Sequence, residues 1–141
     1  MIEEFQKPNR WLSNFWLAPQ KYDGNIFFCN EQMYCYYKSF DPEYRRKILA
    51  ATSPGKIKRI GRSITLRTDW NKFKEYIMME GLKAKFKQNL DLATKLLATG
   101  DQILQEGNRW GDTFWGVDLR TMEGENRLGK MLMALRTEMR G

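Results

Sequence analysis

The stretch "NEQMYCYYKSF", residues 30 to 40, reads as a helix entered through Asn30 with Glu31 in its first turn. An asparagine side chain can accept a first-turn backbone N–H, and a carboxylate is favoured at the positive end of the helix dipole. Upstream, "FWLAPQKYDGNIFF" holds two short apolar runs around Asp23-Gly24. That pair suits a tight hairpin because glycine tolerates positive φ, so a small antiparallel ribbon precedes the helix. Downstream, Asp41-Pro42 and Ser53-Pro54 each place a capping residue before a proline at the first helical position, and two more short helices follow.

Further along, Asp69 can cap a longer helix in which Trp70, Phe73, Ile77, Gly81 and Ala84 recur at helical spacing, widened by Met78, Leu82 and Phe86. A helix over residues 90–98 should stop at Thr99-Gly100, glycine being favoured just past a helix end. In the last helix Leu128, Met131, Leu132, Leu135 and Met139 share one face, with Lys130, Arg136 and Glu138 elsewhere. Between these two helices, "DQILQEGNRWGDTFWGVDL" reads as short strands and loop. The fold class is therefore α+β: a predominantly helical single domain over residues 1–141, packed on a small antiparallel sheet.

Composition narrows the chemistry. With 42% hydrophobic and 13% aromatic residues, the 141-residue chain can bury a real core. The first twenty residues include Glu3, Glu4, Lys7, Pro8 and Arg10, which no signal peptide tolerates, and no window resembles a membrane span. A cytoplasmic protein with no membrane partner is the expectation. Cys29 and Cys35 suit buried apolar positions rather than a disulfide or a zinc site. The chain contains no histidine. That removes Ser-His and Cys-His nucleophile pairs and leaves carboxylates, lysines, tyrosines and backbone groups to do any chemistry.

Charge is uneven. Residues 44–67 hold eight Lys or Arg and no acid, so the net charge of +7 comes from this run. Ser53-Pro54-Gly55-Lys56 offers free backbone N–H groups at a helix start, with Lys58, Arg59 and Arg62 further on. A phosphate or pyrophosphate suits that arrangement, and so does a nucleic-acid backbone bound without regard to sequence. Charge runs are more often simply solvated faces, and no G-x-x-x-x-G-K-[ST] or G-x-G-x-x-G motif accompanies this one.

Two other segments carry candidate groups. Glu31, Tyr34 or Cys35, and Lys38 fall along one helical face, where a carboxylate and an amine can act as an acid/base or nucleophile pair. By spacing alone, such a face is more commonly a solvated polar edge. "LQEGNRWGDTFWG" sets Glu106, Asn108 and Asp112 among Trp110, Phe114 and Trp115 in a loop, a combination able to stack a base and handle a sugar, or simply to anchor a turn. Asn126 in "EGENRLG" serves either as the N-cap of the last helix or as a ligand-binding amide.

Taken in order, the chain resembles the NADAR, or YbiA-like, family. The matching pieces are "LSNF" (12–15), E-x-x-Y-x-x-x-K (Glu31 to Lys38), "PGKIKRIGR" (54–62), "DW" (69–70), Met78, "KFKQN" (85–89), "TG" (99–100), L-x-E (104–106), D-x-x-WG (112–116) and GEN-x-LG-x-x-LM-x-x-R (Gly124 to Arg136). The resemblance spans nearly the whole chain and implies a metal- and cofactor-independent hydrolase of N-glycosidic bonds. Family members are similar to N-glycosidases acting on phosphoribosylated pyrimidine intermediates of riboflavin synthesis and to hydrolases that strip ADP-ribose from guanine in nucleic acid. On that reading Glu31 and Lys38 are catalytic, with Asp112 and Glu106 as further carboxylates. Asn14, Tyr34, Trp70, Trp115, Gly116 and Asn126 bind base or sugar, and Lys56, Lys58, Arg59 and Arg62 hold phosphate. The alternatives are an ADP-ribose or NAD-derived nucleotide sensor that does not cleave its ligand, and a basic nucleic-acid-binding protein.

Overall fold

The computed structural model describes residues 1–141, and the chain gathers into two compact units. Residues 14–90 form the first. Its hairpin pairs β1 (Gln20–Tyr22) antiparallel with β2 (Asn25–Phe27), and Asp23 and Gly24 both take positive φ between them, as the turn requires. Four helices follow: α1 (Asn30–Tyr36), α2 (Pro42–Ala50), α3 (Pro54–Arg62) and α4 (Trp70–Gln88). Both expected proline-led starts occur. Asp41 accepts the Glu43 N–H and Ser53 accepts the Lys56 N–H.

Helix α1 lies among the other elements of this unit, and nearly all of its side chains are buried. Gln32 ties it down: its Oε1 accepts the Phe28 N–H at 2.6 Å, and its Nε2 donates to the carbonyls of Ile48 and Ala51 at 3.0 and 3.1 Å. A buried amide must be paired, and here each pairing anchors the helix to a neighbouring segment. Cys29, Cys35, Tyr44, Ile48, Ala51 and Ile57 close the core between α1, α2 and α3. Along α4 the expected stripe is buried at Trp70, Ile77, Met78, Gly81, Leu82, Ala84 and Phe86. Gly81 allows close approach: a Cβ there would lie 1.9 Å from Asn30 Oδ1.

The second unit comprises residues 1–13 and 91–141. It holds most of α5 (Leu90–Ala98), a parallel pair of two-residue strands β3 (Gly107–Asn108) and β4 (Val117–Asp118), and α6 (Arg127–Arg140). Gly100 ends the α5 segment with φ +63°. Leu128, Leu132 and Leu135 are fully buried on α6. No helix is long and apolar enough to cross a membrane.

Three local expectations need correction. Cys29, not Asn30, occupies the N-cap of α1; Asn30 is already helical, and its amide donates to Asn14 Oδ1 at 2.9 Å. The helix ends at Tyr36, so Lys38 lies in the turn beyond it. Asp69 stands at the N-cap of α4 without capping it, because its carboxylate is taken by Arg67 at 2.6 and 2.9 Å. Arg136, which lies off the apolar face of α6, is buried as well, with Nη1 donating to Thr99 Oγ1 and the Gln102 carbonyl at 2.8 and 2.9 Å. Asn30 is taken by a residue distant in sequence and Asp69 by its neighbour Arg67, and each partner outweighs the capping preference.

Candidate active site

Within residues 14–90, the structure brings together Glu31, Tyr34, Cys35 and Lys38 with Gly61 and Trp70. Glu31 sits in the first turn of α1 and is half-buried. Its backbone N–H donates to the Asn14 carbonyl at 2.9 Å, and the Cys35 thiol donates to its Oε2 at 3.6 Å. Lys38, half-buried in the turn after α1, points Nζ at the Gly61 carbonyl of α3, 3.4 Å away, and lies 5.5 Å over the Tyr34 ring centroid. Tyr34 meets Trp70 edge to face at 4.9 Å, so the two buried aromatics form a floor beneath the amine.

The Asn14 side chain is itself engaged. It accepts from Asn30 and donates to Met78 Sδ at 3.5 Å, while Gln20 Nε2 donates to Asn30 Oδ1 at 3.1 Å and to the Gly81 carbonyl at 3.2 Å. This buried chain of amides holds the start of α1, and hence Glu31, against α4. At the other end Arg67 acts as a strap. Its guanidinium lies 4.1 and 4.0 Å from the Phe40 and Phe73 ring centroids, its Nη1 donates to the Tyr37 carbonyl, and its backbone N–H donates to the Lys38 carbonyl at 2.7 Å. Asp69 beside it is held below the usual carboxylate range by the Arg67 hydrogen bonds.

The basic run is split by the geometry of α3. Ile57 and Gly61 are its buried residues. At about 100° per residue, Lys58 and Arg62 fall on the flank beside Gly61, while Arg59 points away and Lys56 falls on the opposite flank. All four are exposed, and no ion pair engages them.

Glu106, Asp112, Trp115, Gly116 and Asn126 gather within the second unit. Asn126, with φ +51°, stands at the N-cap of α6, yet its side chain does not cap. It accepts the Glu106 N–H at 2.9 Å and donates to the Leu104 carbonyl at 3.0 Å. Gly116 is pressed on Glu106: a Cβ there would lie 2.0 Å from Oε2 and 2.1 Å from the backbone oxygen. Asn108 donates to Glu106 Oε2 at 3.3 Å and to the Asp112 carbonyl at 2.8 Å, and accepts the Asp112 N–H at 3.0 Å. Asp112 Oδ1 accepts the N–H groups of Phe114 and Trp115 at 3.1 and 2.9 Å. Phe114 and Trp115 meet edge to face at 4.8 Å. Two surface hollows contain none of these residues: one of about 460 Å³ lined by residues including Ile2, Glu4 and Gln102, and one of about 230 Å³ lined by Thr68, Asp69, Asn71 and Lys72.

Several site groups are hidden from sequence reasoning. Gly61 lies inside the basic stretch 54–62 with nothing to mark it as the contact of Cys35 and Lys38, and Arg67 carries no pattern of its own. Lys85 is the largest surprise. It is fully buried on α4 inside an otherwise expected apolar stripe, and burial pushes its amine down to about 7. Burial also pushes the Cys29 thiol up to about 11 and the Cys35 thiol well above its usual value, the Glu31 charge adding to both effects.

Comparison with known proteins agrees over the whole chain. The NADAR domain matches residues 2–140. The N-glycosidase YbiA of Shigella flexneri is 40% identical over 130 residues, 91% of this chain and 80% of that protein. A riboflavin biosynthesis protein of Vibrio vulnificus is 34% identical over 92% of this chain and 35% of its own length. The NMR structure of Escherichia coli YbiA superposes with a TM-score of 0.87 at 34% identity, covering 99% of this chain and 87% of that one. By sequence and by fold, the chain belongs to the NADAR domain family.

Proposed function

We propose that the protein is an N-glycosidase that hydrolyses the C–N bond between a ribose and a base, without a metal or cofactor. The observation that carries this reading is a carboxylate and a lysine linked along one side of the buried helix α1: Glu31 meets the Cys35 thiol, and Gly61 lies against both that thiol and the Lys38 amine. The names of relatives, N-glycosidase and riboflavin biosynthesis protein, support the reaction class.

Breaking the ribosyl bond builds positive charge on C1 and the ring oxygen, so a fixed anion lowers the barrier. Glu31 fills that role and accepts a proton from the attacking water; the Lys38 amine is a hydrogen-bond donor and protonates the departing nitrogen. The products are a free base and a ribose with a hydroxyl at C1. Lys58 and Arg62, on the Gly61 flank of α3, are the cations best placed to hold a substrate phosphate. The substrate is a ribosylated small molecule, for which a phosphoribosylamino-pyrimidine is the first candidate, or an ADP-ribosylated guanine in nucleic acid.

The test is a chromatographic assay of both substrates with chelator present, run on wild type and Glu31→Gln. Base release by wild type, cut by about two orders of magnitude or more in a folded Glu31→Gln protein, is expected. Stoichiometric ADP-ribose binding with no release from either substrate would move the reading to a nucleotide sensor.

A further inference from the structure

The Cys35 thiol occupies a position that packing alone does not demand. It lies one turn beyond Glu31 on α1, 1% exposed, with Sγ 3.6 Å from Glu31 Oε2. On its other side is Gly61 of α3, where an added Cβ would come within 2.7 Å of Sγ and 3.6 Å of Lys38 Nζ. The Gly61 carbonyl accepts from that same Nζ. One glycine therefore lies against both the thiol that meets the carboxylate and the Lys38 amine. The Cys35 backbone is held too, its carbonyl accepting the Tyr44 hydroxyl at 2.5 Å.

We propose that Cys35 is a positioning residue for Glu31: the buried thiol, wedged against Gly61, donates to the carboxylate and sets its place relative to Lys38. The proposal rests on the N-glycosidase reading in which Glu31 is catalytic. A thiol suits the role because it is a donor that adds no charge. The charged and titratable groups around it are Glu31 and Lys38 at the mouth, Tyr44 from α2 and Cys29 from the start of α1. Burial, and the Glu31 charge after it, keep the thiol protonated, so the S–H remains available as a donor. At 1% exposure, water does not replace it when it is lost.

The experiment compares Cys35→Ala, Cys35→Ser and Gly61→Ala with wild type and Glu31→Gln, measuring kcat, KM, the pH dependence of kcat and Tm. Cys35→Ala should lose about tenfold in kcat with KM nearly unchanged, the scale of one lost hydrogen bond to a charged group. Its acidic limb should move to higher pH, because the carboxylate has lost a donor that favours its ionised form. Cys35→Ser, which keeps a donor, should recover most of kcat and the wild-type limb. Gly61→Ala keeps the thiol but crowds it, and should lower kcat by a smaller factor, which provides a reading even where Cys35→Ala folds poorly. Equal kcat and equal acidic limbs for the Ala and Ser variants, with Glu31→Gln inactive, would overturn the positioning role and leave the N-glycosidase reading intact. Wild-type turnover in Glu31→Gln would overturn both.

Discussion

In the loop from Glu106 to Asn126, the polar side chains are spent on backbone groups. Asn108 binds the Asp112 carbonyl and N–H, Asp112 takes two further N–H groups, and Asn126 ties Leu104 to Glu106. On α1 the helix satisfies its own backbone, and Glu31 and Lys38 instead reach half-exposed positions beside a thiol, a glycine carbonyl and a tyrosine ring. The difference follows from the obligation to pair buried backbone groups. With only two-residue strands to satisfy it, the loop recruits its own amides and carboxylates. Helix α1 bonds its own backbone, spends Gln32 on the Phe28, Ile48 and Ala51 backbone, and leaves the Glu31 carboxylate half-exposed. Asp112 shapes the turn that carries Trp115, its Oδ1 accepting the Phe114 and Trp115 N–H groups.

The contrast can be strained hardest at the glycines. Gly116→Ala drives a methyl group into Glu106, including its backbone oxygen, which cannot move aside. A loss of about 4 kcal/mol or more is expected by chemical denaturation. Gly61→Ala, whose nearest obstacle is the Cys35 side chain, should cost about 1–3 kcal/mol. Similar losses at the two sites would mean that the loop relaxes as readily as the helix pair.

A second lever lies behind α1. In the unfolded chain Lys85 binds its proton below about 10.5, and in the folded protein only below about 7, so stability is lost as pH falls through that window and the penalty is constant below it. Comparing denaturation of wild type and Lys85→Met at pH 10 and pH 7 should show wild type losing about 2–5 kcal/mol more than the variant, at 1.36 kcal/mol per pH unit. Parallel curves would mean that the amine stays charged inside the fold.

The smallest effect sharpens the role of Asp112. Asp112→Ala removes the acceptor of two N–H groups and should cost about 1–3 kcal/mol, with turnover per folded molecule little changed. Asp112→Asn keeps that acceptor and should stay near wild type in stability. A large loss of turnover in a stable Asp112→Asn would return this carboxylate to the chemistry.

Much of the fold was legible because its rules are local. The Asp23-Gly24 turn, the proline-led starts of α2 and α3, the stripe on α4 and the stop at Gly100 each depend on a few neighbouring residues. The spacing of Glu31, Cys35 and Lys38 put them along one side of α1, and the Glu31–Cys35 and Gly61 contacts agree with that placement. The failures share one cause. Asn30 and Asp69 are polar residues whose side chains are taken by a stronger partner, Asn14 for the one and Arg67 for the other, and such a partner outweighs a capping preference worth about 1 kcal/mol. Spacing likewise put all four cations of α3 into one patch, whereas the buried face of the helix divides them.

The sequence by itself determined the helices, the hairpin, the absence of histidine chemistry and the family. Tertiary structure alone decided that Lys85 is buried, that Gly61 meets both Cys35 and Lys38, and that Asn126 ties Leu104 to Glu106. Helix and turn signals are written in neighbouring residues. A burial or a hydrogen bond between residues twenty or more apart exists only once packing has chosen which faces meet.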